Sequence, residues 1–236
     1  MFTLSTPNKE RSYHHGDLRR ALVSSALEIL SERGVSGLSL RAAARRAKVS
    51  AMAPYRHFAD KEALLAAVAE HGFRQLTARF SAAAAAAPDP RATPNALGVA
   101  YVVFACDEPS LFKLMFGPAI EQKPTHPGLN EAGRACFDAL RQAVKAAKFF
   151  DGHCQLTDVS LACWSLVHGL ASLIVDGRLA DENVGSPEAM ATRLTQLLSN
   201  SLAALGDIKP GTTRSNPQKR PLRRRLSPKL ANSSAD

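Results

Sequence analysis

The apolar residues of the first eighty positions recur at the spacing of helix faces, and strand alternation is nowhere clear. The first apolar stripe consists of Leu22, Val23, Ala26, Ile29 and Leu30. These positions share one face of a helix predicted over residues 17–33, which Gly34 ends. Ser39 is placed to cap a short helix over residues 40–47, and Ser50 to cap another over residues 50–58. Two short helices joined by about four residues make a helix-turn-helix, which commits this part of the chain to an all-α fold.

The rest of the chain is also predicted to be helical. Asp60 is placed to cap a fourth helix that continues toward the alanine tract at 82–87, and the prolines at 88, 90 and 94 then interrupt the pattern. Further amphipathic segments are predicted over residues 97–105, 111–116, 131–148, 157–175 and 188–205. We therefore predict an N-terminal arm (1–15), a three-helix domain with the helix-turn-helix (16–80), a C-terminal helical bundle (88–206) and a disordered basic tail (207–236).

The net charge of +9 is unevenly distributed along the 236 residues. Residues 1–80 hold 13 Lys and Arg against 7 Asp and Glu, residues 81–206 hold 9 against 12, and residues 207–236 hold 8 against 2. The two ends are therefore basic, and the middle is slightly acidic. A compact basic module attached to a near-neutral body is typical of a protein that binds nucleic acid at one end.

Composition and missing motifs exclude several classes of protein. Hydrophobic residues make up 45% of the chain, enough for a packed core, while no run of about 18 apolar residues and no apolar N-terminal segment occur. The four cysteines form no CxxC pair, so we expect reduced core thiols. No GxxxxGK, HExxH, GxSxG or GxGxxG motif occurs. We expect a soluble cytoplasmic protein that has no membrane partner, is not an enzyme, and uses neither a cofactor nor a metal.

The segment from Ser50 to Lys61 carries the residue types that a recognition helix needs. Small residues near its start allow the backbone to approach base edges, and four residues of its second half can reach phosphates: Tyr55, Arg56, His57 and Lys61. Alternatively, Tyr55 and Phe58 are core aromatics, and the charges form a solvated face. The helix-turn-helix spacing and the local positive charge favour DNA contact, in which we include Arg41 on the outside of the preceding helix.

Several separated motifs occur in a characteristic order. They are Tyr13-His14-His15-Gly16-Asp17-Leu18-Arg19, Leu38-Ser39-Leu40-Arg41, Ala44-Arg45-Arg46-Ala47, Tyr55-Arg56-His57-Phe58 and Lys61-Glu62-Ala63-Leu64-Leu65. Over residues 13–77 the chain resembles the DNA-binding domain of the tetracycline-repressor (TetR) family. Further on, residues 104–117 and the run Trp164-Ser165-Leu166-Val167-His168-Gly169 are similar to the C-terminal domain of the subgroup named for its Trp-His-Gly signature.

The resemblance implies a homodimeric, all-helical transcriptional regulator, usually a repressor that a small molecule in the C-terminal domain releases from a pseudo-palindromic operator in double-stranded DNA. It implies that Tyr55, His57 and Lys61 contact phosphates and that Ser39 lies against the DNA backbone. It also places Ser50, Ala51 and Met52 near base edges. Two positions depart from the family pattern: Lys48 stands where a glycine is common, and Met52 stands where a smaller residue is frequent, which favours contact with a thymine methyl.

Candidate residues for the small-molecule site are aromatic and apolar side chains of the C-terminal segments, together with one histidine. They are Tyr101, Phe104, Phe112, Met115, Phe116, Trp164 and His168. Each can equally be a core residue, and His168 can alternatively be a dimer-interface residue or a haem or metal ligand. His14 and His15 are predicted to face phosphates, and His153 with Cys154 is another metal candidate.

The two most apolar segments, 157–175 and 188–205, predict a partner subunit, because they expose more apolar surface than a small monomer leaves to water. We expect them to pack against their symmetry mates in a four-helix interface. The eight Lys and Arg residues of the 207–236 tail either keep the protein soluble or bind DNA phosphates without sequence preference. Two other functions stay open: a sequence-tolerant DNA-organising protein, and a helical cofactor-binding protein or enzyme.

Overall fold

The computed structural model of the chain describes residues 15–121, 125–148, 155–179 and 184–206. Over these ranges the chain forms eight α-helices, one short 3₁₀ helix and no strand, so the predicted all-α class is confirmed. The α-helices are α1 (His15–Gly37), α2 (Leu40–Arg46), α3 (Lys61–Ala86), α4 (Thr93–Asp107), α5 (Pro109–Phe116), α6 (Pro127–Ala147), α7 (Leu156–Val175) and α8 (Pro187–Gly206). The 3₁₀ helix spans Ala53–Arg56. The predicted tail, His14 in the predicted arm, and the pair His153 and Cys154 lie outside the described residues.

Helices α1 and α2 follow the predicted pattern of apolar stripe and cap. The stripe residues Leu22, Ala26, Ile29 and Leu30 are at most 3% exposed. Gly34 has φ +65° and ψ −172°, a backbone conformation that glycine adopts far more readily than other residues, and it breaks α1 there. The hydroxyl of Ser39 accepts a hydrogen bond from the Ala42 amide at 3.1 Å, which is the predicted N-cap of α2.

The turn after α2 is closed by Lys48 in a left-handed conformation, with φ +56°. The Lys48 amide donates to the Arg45 carbonyl at 3.2 Å, and the Val49 amide donates to the Ala44 carbonyl at 3.0 Å. These two bonds form a Schellman cap, whose left-handed position usually holds glycine. A lysine in this conformation costs about 1 kcal/mol of backbone strain. Lys48, where the family commonly has a glycine, therefore adopts an unfavourable backbone conformation.

The third predicted helix is shorter than expected. The Ala53 amide donates to the backbone carbonyl of Ser50 at 3.0 Å in a turn, and only the four-residue 3₁₀ helix follows. The prediction that Ser50 caps an α-helix is therefore wrong. Pro54 supplies the reason, because it has no amide hydrogen and disfavours the α conformation of the residue before it.

Helix α3 connects the helix-turn-helix to the remaining helices. At its start the carboxylate of Asp60 accepts a hydrogen bond from the Ala63 amide at 2.8 Å, as predicted, and the helix continues into the alanine tract. Its apolar stripe is buried, and α5 approaches it closely at Gly72, where a Cβ would lie 2.5 Å from the sulfur of Met115. Because α5 also packs against α1, it joins the C-terminal helices to the N-terminal ones.

Helices α4 to α8 form a bundle in which all five predicted C-terminal segments are found as helices. Helix α4 packs against α3, α7 and α8. Gly98 permits this packing, since a Cβ there would lie 2.7 Å from the side chain of Thr195 on α8. One hydrophobic core extends from Leu22 on α1 to Ala191 on α8, so the two halves of the chain share it.

Helix α7 is the one described helix that is long and apolar enough, by length and composition alone, to cross a membrane, with a mean hydropathy of 1.6. It packs against α4, α6 and α8, yet only 28% of its most apolar window is buried. Leu161 and Leu173 on α7 are exposed, and so is Leu197 on α8. These two helices therefore leave apolar surface uncovered in the single chain.

Candidate nucleic-acid interface and ligand cavity

The recognition segment, residues 50–57, holds small and apolar side chains at the protein surface. Ser50 and Ala51 are exposed, and Met52 exposes 71% of its surface. Behind them Pro54 and Phe58 are buried. The three candidate base-contacting residues are thus presented to solvent from a segment that is anchored in the core.

The candidate phosphate-contacting residues lie within this segment and on the elements beside it. Arg41 and Arg56 are exposed, and Tyr55 is 45% exposed, so Phe58 is the core aromatic of the pair and Tyr55 is not. The ammonium group of Lys61 donates to the Val35 carbonyl at 3.2 Å, while His57 is half-buried. The Ser39 hydroxyl accepts a hydrogen bond as the cap of α2, and its own hydrogen remains available to donate.

Arg46 differs from the other cations of the helix-turn-helix because α1 binds it. Its guanidinium donates to both carboxylate oxygens of Glu32, at 2.8 and 2.6 Å, and to Glu28 at 3.1 Å. These hydrogen bonds lower the pKa of Glu32 and raise the pKa of Arg46. A guanidinium held in this way fixes α2 on α1, and the exposed arginines of α2 are Arg41 and Arg45.

Most of the candidate ligand residues come together in one aromatic cluster. The ring of Phe116 lies at its centre, with ring centroids 4.8 Å from His168, 5.1 Å from Phe112, 6.1 Å from Tyr101 and 6.3 Å from Trp164. Phe104 lies apart, fully buried, with the guanidinium of Arg79 5.3 Å from its ring. Phe104 is therefore a core residue rather than part of this cluster.

A cavity of about 300 Å³ lies beside the cluster and is lined by residues of α3 to α8. Four candidates line it, namely Tyr101, Met115, Phe116 and Trp164, whereas Phe112 and His168 do not. Most of the other cavity-lining residues were not predicted from the sequence. Phe73 and Phe80 are seven residues apart on α3, a spacing that marks one helix face, but nothing in the sequence singled out Arg134 on α6.

Three side chains form a hydrogen-bonded chain at the cavity wall. The indole nitrogen of Trp164 donates to the hydroxyl of Tyr101 at 3.4 Å, and that hydroxyl lies 2.7 Å from Nδ1 of His168. Because an indole nitrogen only donates, the Tyr101 oxygen accepts from it, and the same hydroxyl shares a second hydrogen bond with Nδ1 of His168. Burial lowers the pKa of His168 and raises the pKa of Tyr101, so both are neutral near pH 7.

The hydrogen bond between Nδ1 of His168 and the Tyr101 hydroxyl bears on the proposal that His168 is a haem or metal ligand, because Nδ1 is already occupied. Among the residues that the structure describes, no group of three or more His, Cys, Asp or Glu is placed to hold a metal ion. Cys136 and Cys163 line the cavity, and burial raises the pKa of each thiol to about 11. Both are therefore protonated, small apolar parts of the wall.

Two protein families match this chain. A family described as bacterial regulatory proteins, tetR family, matches residues 22–68, which contain α2, the recognition segment and the start of α3. A family described as the tetracyclin repressor-like C-terminal domain matches residues 94–198, which contain most of the cavity wall. The two matches therefore fall on the two candidate sites.

Individual relatives agree with these matches. The HTH-type transcriptional regulator BetI of Burkholderia thailandensis is 40% identical over 79 residues, which cover 32% of this chain and 40% of that protein. A protein of unknown function from Rhodococcus sp. RHA1 is 36% identical, with a TM-score of 0.69 over 82% of this chain and 100% of its own. The TetR family regulator PfmR from Thermus thermophilus is 16% identical, with a TM-score of 0.57 over 76% of this chain and 97% of its own, and so shares the fold.

Proposed function

Because the chain belongs to the tetracycline-repressor (TetR) family of DNA-binding transcriptional regulators, we propose that it is a homodimeric repressor that a small molecule in the α3–α8 cavity releases from its operator. It acts in the cytoplasm, where bacterial DNA is found. The proposed DNA contacts are Ser39, Arg41, Ser50, Ala51, Met52, Tyr55, Arg56, His57 and Lys61. The proposed ligand contacts are Tyr101, Met115, Phe116 and Trp164, with Phe112 and His168 supporting them.

The observation that carries the proposal is the exposed recognition segment. Met52 is a large apolar side chain left 71% exposed at the apex of a helix-turn-helix. In water that exposure is unfavourable, whereas in a major groove the same side chain can contact a thymine methyl. Exposed Arg41 lies on α2 and exposed Arg56 lies at the end of the 3₁₀ helix, where phosphates of the groove edges would be met.

The uncovered apolar surface of α7 and α8 supports a homodimer. Exposed leucines lie on both helices, and 64% of the surface of Leu197 is exposed. A two-fold axis through this face would bury the leucines of both subunits in a four-helix interface. The same axis would present two recognition segments to one face of a DNA duplex, which is the requirement for reading an inverted repeat.

Helix α5 is the proposed connection between cavity and DNA. Met115 and Phe116 line the cavity, and Met115 also contacts α3 at Gly72, where no space exists for a Cβ. A ligand that displaces these two side chains must therefore move α5 against α3 and α1. Repression is relieved when the ligand binds the DNA-incompetent arrangement more tightly than the competent one.

The test is to incubate the purified chain with sheared genomic DNA of its source organism and to measure the affinity for a recovered fragment by gel shift. A specific regulator prefers that fragment over bulk DNA by about 1,000-fold or more at fixed salt. Equal affinity for both would instead identify a sequence-tolerant DNA-organising protein. Arg41→Gln should weaken binding, whereas Arg91→Gln, which removes the same charge from the exposed turn before α4, should not.

A further inference from the structure

Arg134 is the one charged residue among those that line the cavity in the described part of the chain. It lies on α6 and is exposed to solvent, so it stands at the opening of the cavity rather than in its wall. Its guanidinium makes no hydrogen bond or ion pair with another described residue. The cavity therefore offers an arginine whose donors are available to an incoming molecule.

The other polar groups of the cavity already have partners within the protein. Asn95 accepts a hydrogen bond from the Ser199 hydroxyl and donates to Gln196 at 3.3 Å. The hydroxyl of Thr195 donates to the Ala191 carbonyl at 2.8 Å, and the Tyr101 hydroxyl is held between Trp164 and His168. A ligand thus meets an apolar interior and a single available cationic group.

The size of the cavity limits the occupant. About 300 Å³ is the volume of roughly ten molecules of liquid water, so the space suits a molecule of about ten to fifteen non-hydrogen atoms. Its walls are mostly aromatic and aliphatic side chains, including Phe73, Phe116 and Trp164. The body of the occupant must accordingly be apolar, because unpaired polar groups inside would lose hydrogen bonds to water.

We propose that the cavity binds an apolar monocarboxylic acid, with the carboxylate on Arg134 at the opening and the aliphatic or aromatic body against Phe116 and Trp164. The inference rests on the proposed function, since it names the class of molecule that the effector cavity takes. The planar fork of a guanidinium matches both oxygens of a carboxylate, and one positive charge balances one negative charge. A cationic ligand would find no acidic residue among the cavity-lining residues of the described chain.

The experiment compares three probes that share an eight-carbon chain: octanoate, 1-octanol and octylamine. Trp164 is the single tryptophan of the chain and lines the cavity, so its fluorescence reports occupancy directly. Octanoate is expected to bind at least about tenfold more tightly than octanol, and octylamine more weakly than either. The octanoate affinity should also fall as salt is raised, because the proposed ion pair is exposed at the opening.

Variants of Arg134 and Lys145 test whether the charge of Arg134, rather than the shape of the cavity, causes the preference for octanoate. Arg134→Gln should reduce octanoate binding to the level of octanol and leave octanol unchanged, while Arg134→Lys should keep part of the preference. Lys145→Gln removes a positive charge from an exposed position on the same helix that does not line the cavity, and it should change none of the three affinities. The proposal is overturned if none of the probes binds, if octanol binds wild type as tightly as octanoate, or if the preference for octanoate survives Arg134→Gln.

The class of ligand that the cavity binds and the release of DNA by a ligand are measured separately. The fluorescence titrations contain no DNA, so they report the ligand class alone. If octanoate binds through Arg134 but leaves the protein on its DNA fragment, the ligand class stands and relief of repression by that class fails. If a compound without a carboxylate releases the DNA while octanoate does not bind, the carboxylate assignment is wrong and ligand-relieved repression stands.

Discussion

Removing the hydroxyl of Tyr101 should destabilise the protein, because that hydroxyl is hydrogen-bonded to Nδ1 of His168. Tyr101→Phe keeps the buried ring but leaves Nδ1 of His168 without its hydrogen-bond partner at 2.7 Å. A desolvated polar group that loses its hydrogen-bond partner costs about 1–3 kcal/mol. The Trp164 contact adds little, since 3.4 Å lies beyond the usual range of a hydrogen bond to oxygen. We therefore expect a loss of about 2 kcal/mol in the free energy of unfolding.

Thermal unfolding followed by circular dichroism measures this loss. For a chain of this size about 2 kcal/mol corresponds to a fall in Tm of about 4–8 °C. Protein concentration must be the same for all variants, because Tm of a dimer depends on it. A Tyr101→Phe protein that unfolds at the wild-type temperature would contradict the hydrogen-bonded chain.

A double-mutant cycle separates the hydrogen bond from the packing of the ring. In a His168→Leu background the hydrogen-bond partner is absent, so Tyr101→Phe should cost clearly less than it does in wild type. The difference between the two costs is expected to be about 0.5–3 kcal/mol. Equal costs in both backgrounds would show that the hydroxyl acts through something other than His168.

Four further predictions concern DNA, assembly, the tail and pH. His57→Ala should weaken binding to all DNA sequences alike, whereas Met52→Ala should change which sequence is preferred in a gel-shift series. Leu197→Asp should give folded monomers or aggregates in sedimentation, because the dimer interface would bury an unpaired charge; an intact dimer would contradict the proposed face. Truncation after Gly206 should leave the fold and the dimer intact while flattening the salt dependence of DNA binding by about 0.9 in log–log slope for each phosphate that the tail engages, and an unchanged slope would mean a passive tail. Burial holds the pKa of His168 below its unfolded value, so its contribution to stability is complete above about pH 6.5 and is lost as pH falls toward the folded pKa; the decline of Tm between about pH 7 and 5 should therefore be shallower in His168→Leu.

The long helices were predictable because periodicity and capping agree at the same positions. In α1 and α3 a buried apolar stripe coincides with a glycine stop or an aspartate cap, at Gly34 and Asp60. The recognition segment was not predictable in this way, since four residues of 3₁₀ helix contain too few positions to show a period. Ser50 has the residue type of a cap, but the proline four residues later decides the backbone instead.

The candidate ligand site was predictable in composition and not in shape. Tyr101, Phe116 and Trp164 could be selected because they are large aromatic residues on predicted helices. Whether such residues pack solidly or leave a cavity depends on the distances between helices, and contacts such as Gly98 against Thr195 set these distances across nearly a hundred residues of sequence. Phe104 shows the limit, because both it and Tyr101 are buried aromatic residues of α4, yet only Tyr101 lines the cavity.

If two copies of the recognition segment read one inverted repeat, the purified protein should select such repeats from a random pool of DNA duplexes. We expect enriched sequences with two inverted half-sites whose centres lie about 34 Å apart, one helical turn of DNA, and loss of the enrichment in Leu197→Asp. Enrichment of a single unrepeated half-site, or no enrichment above the starting pool, would contradict it.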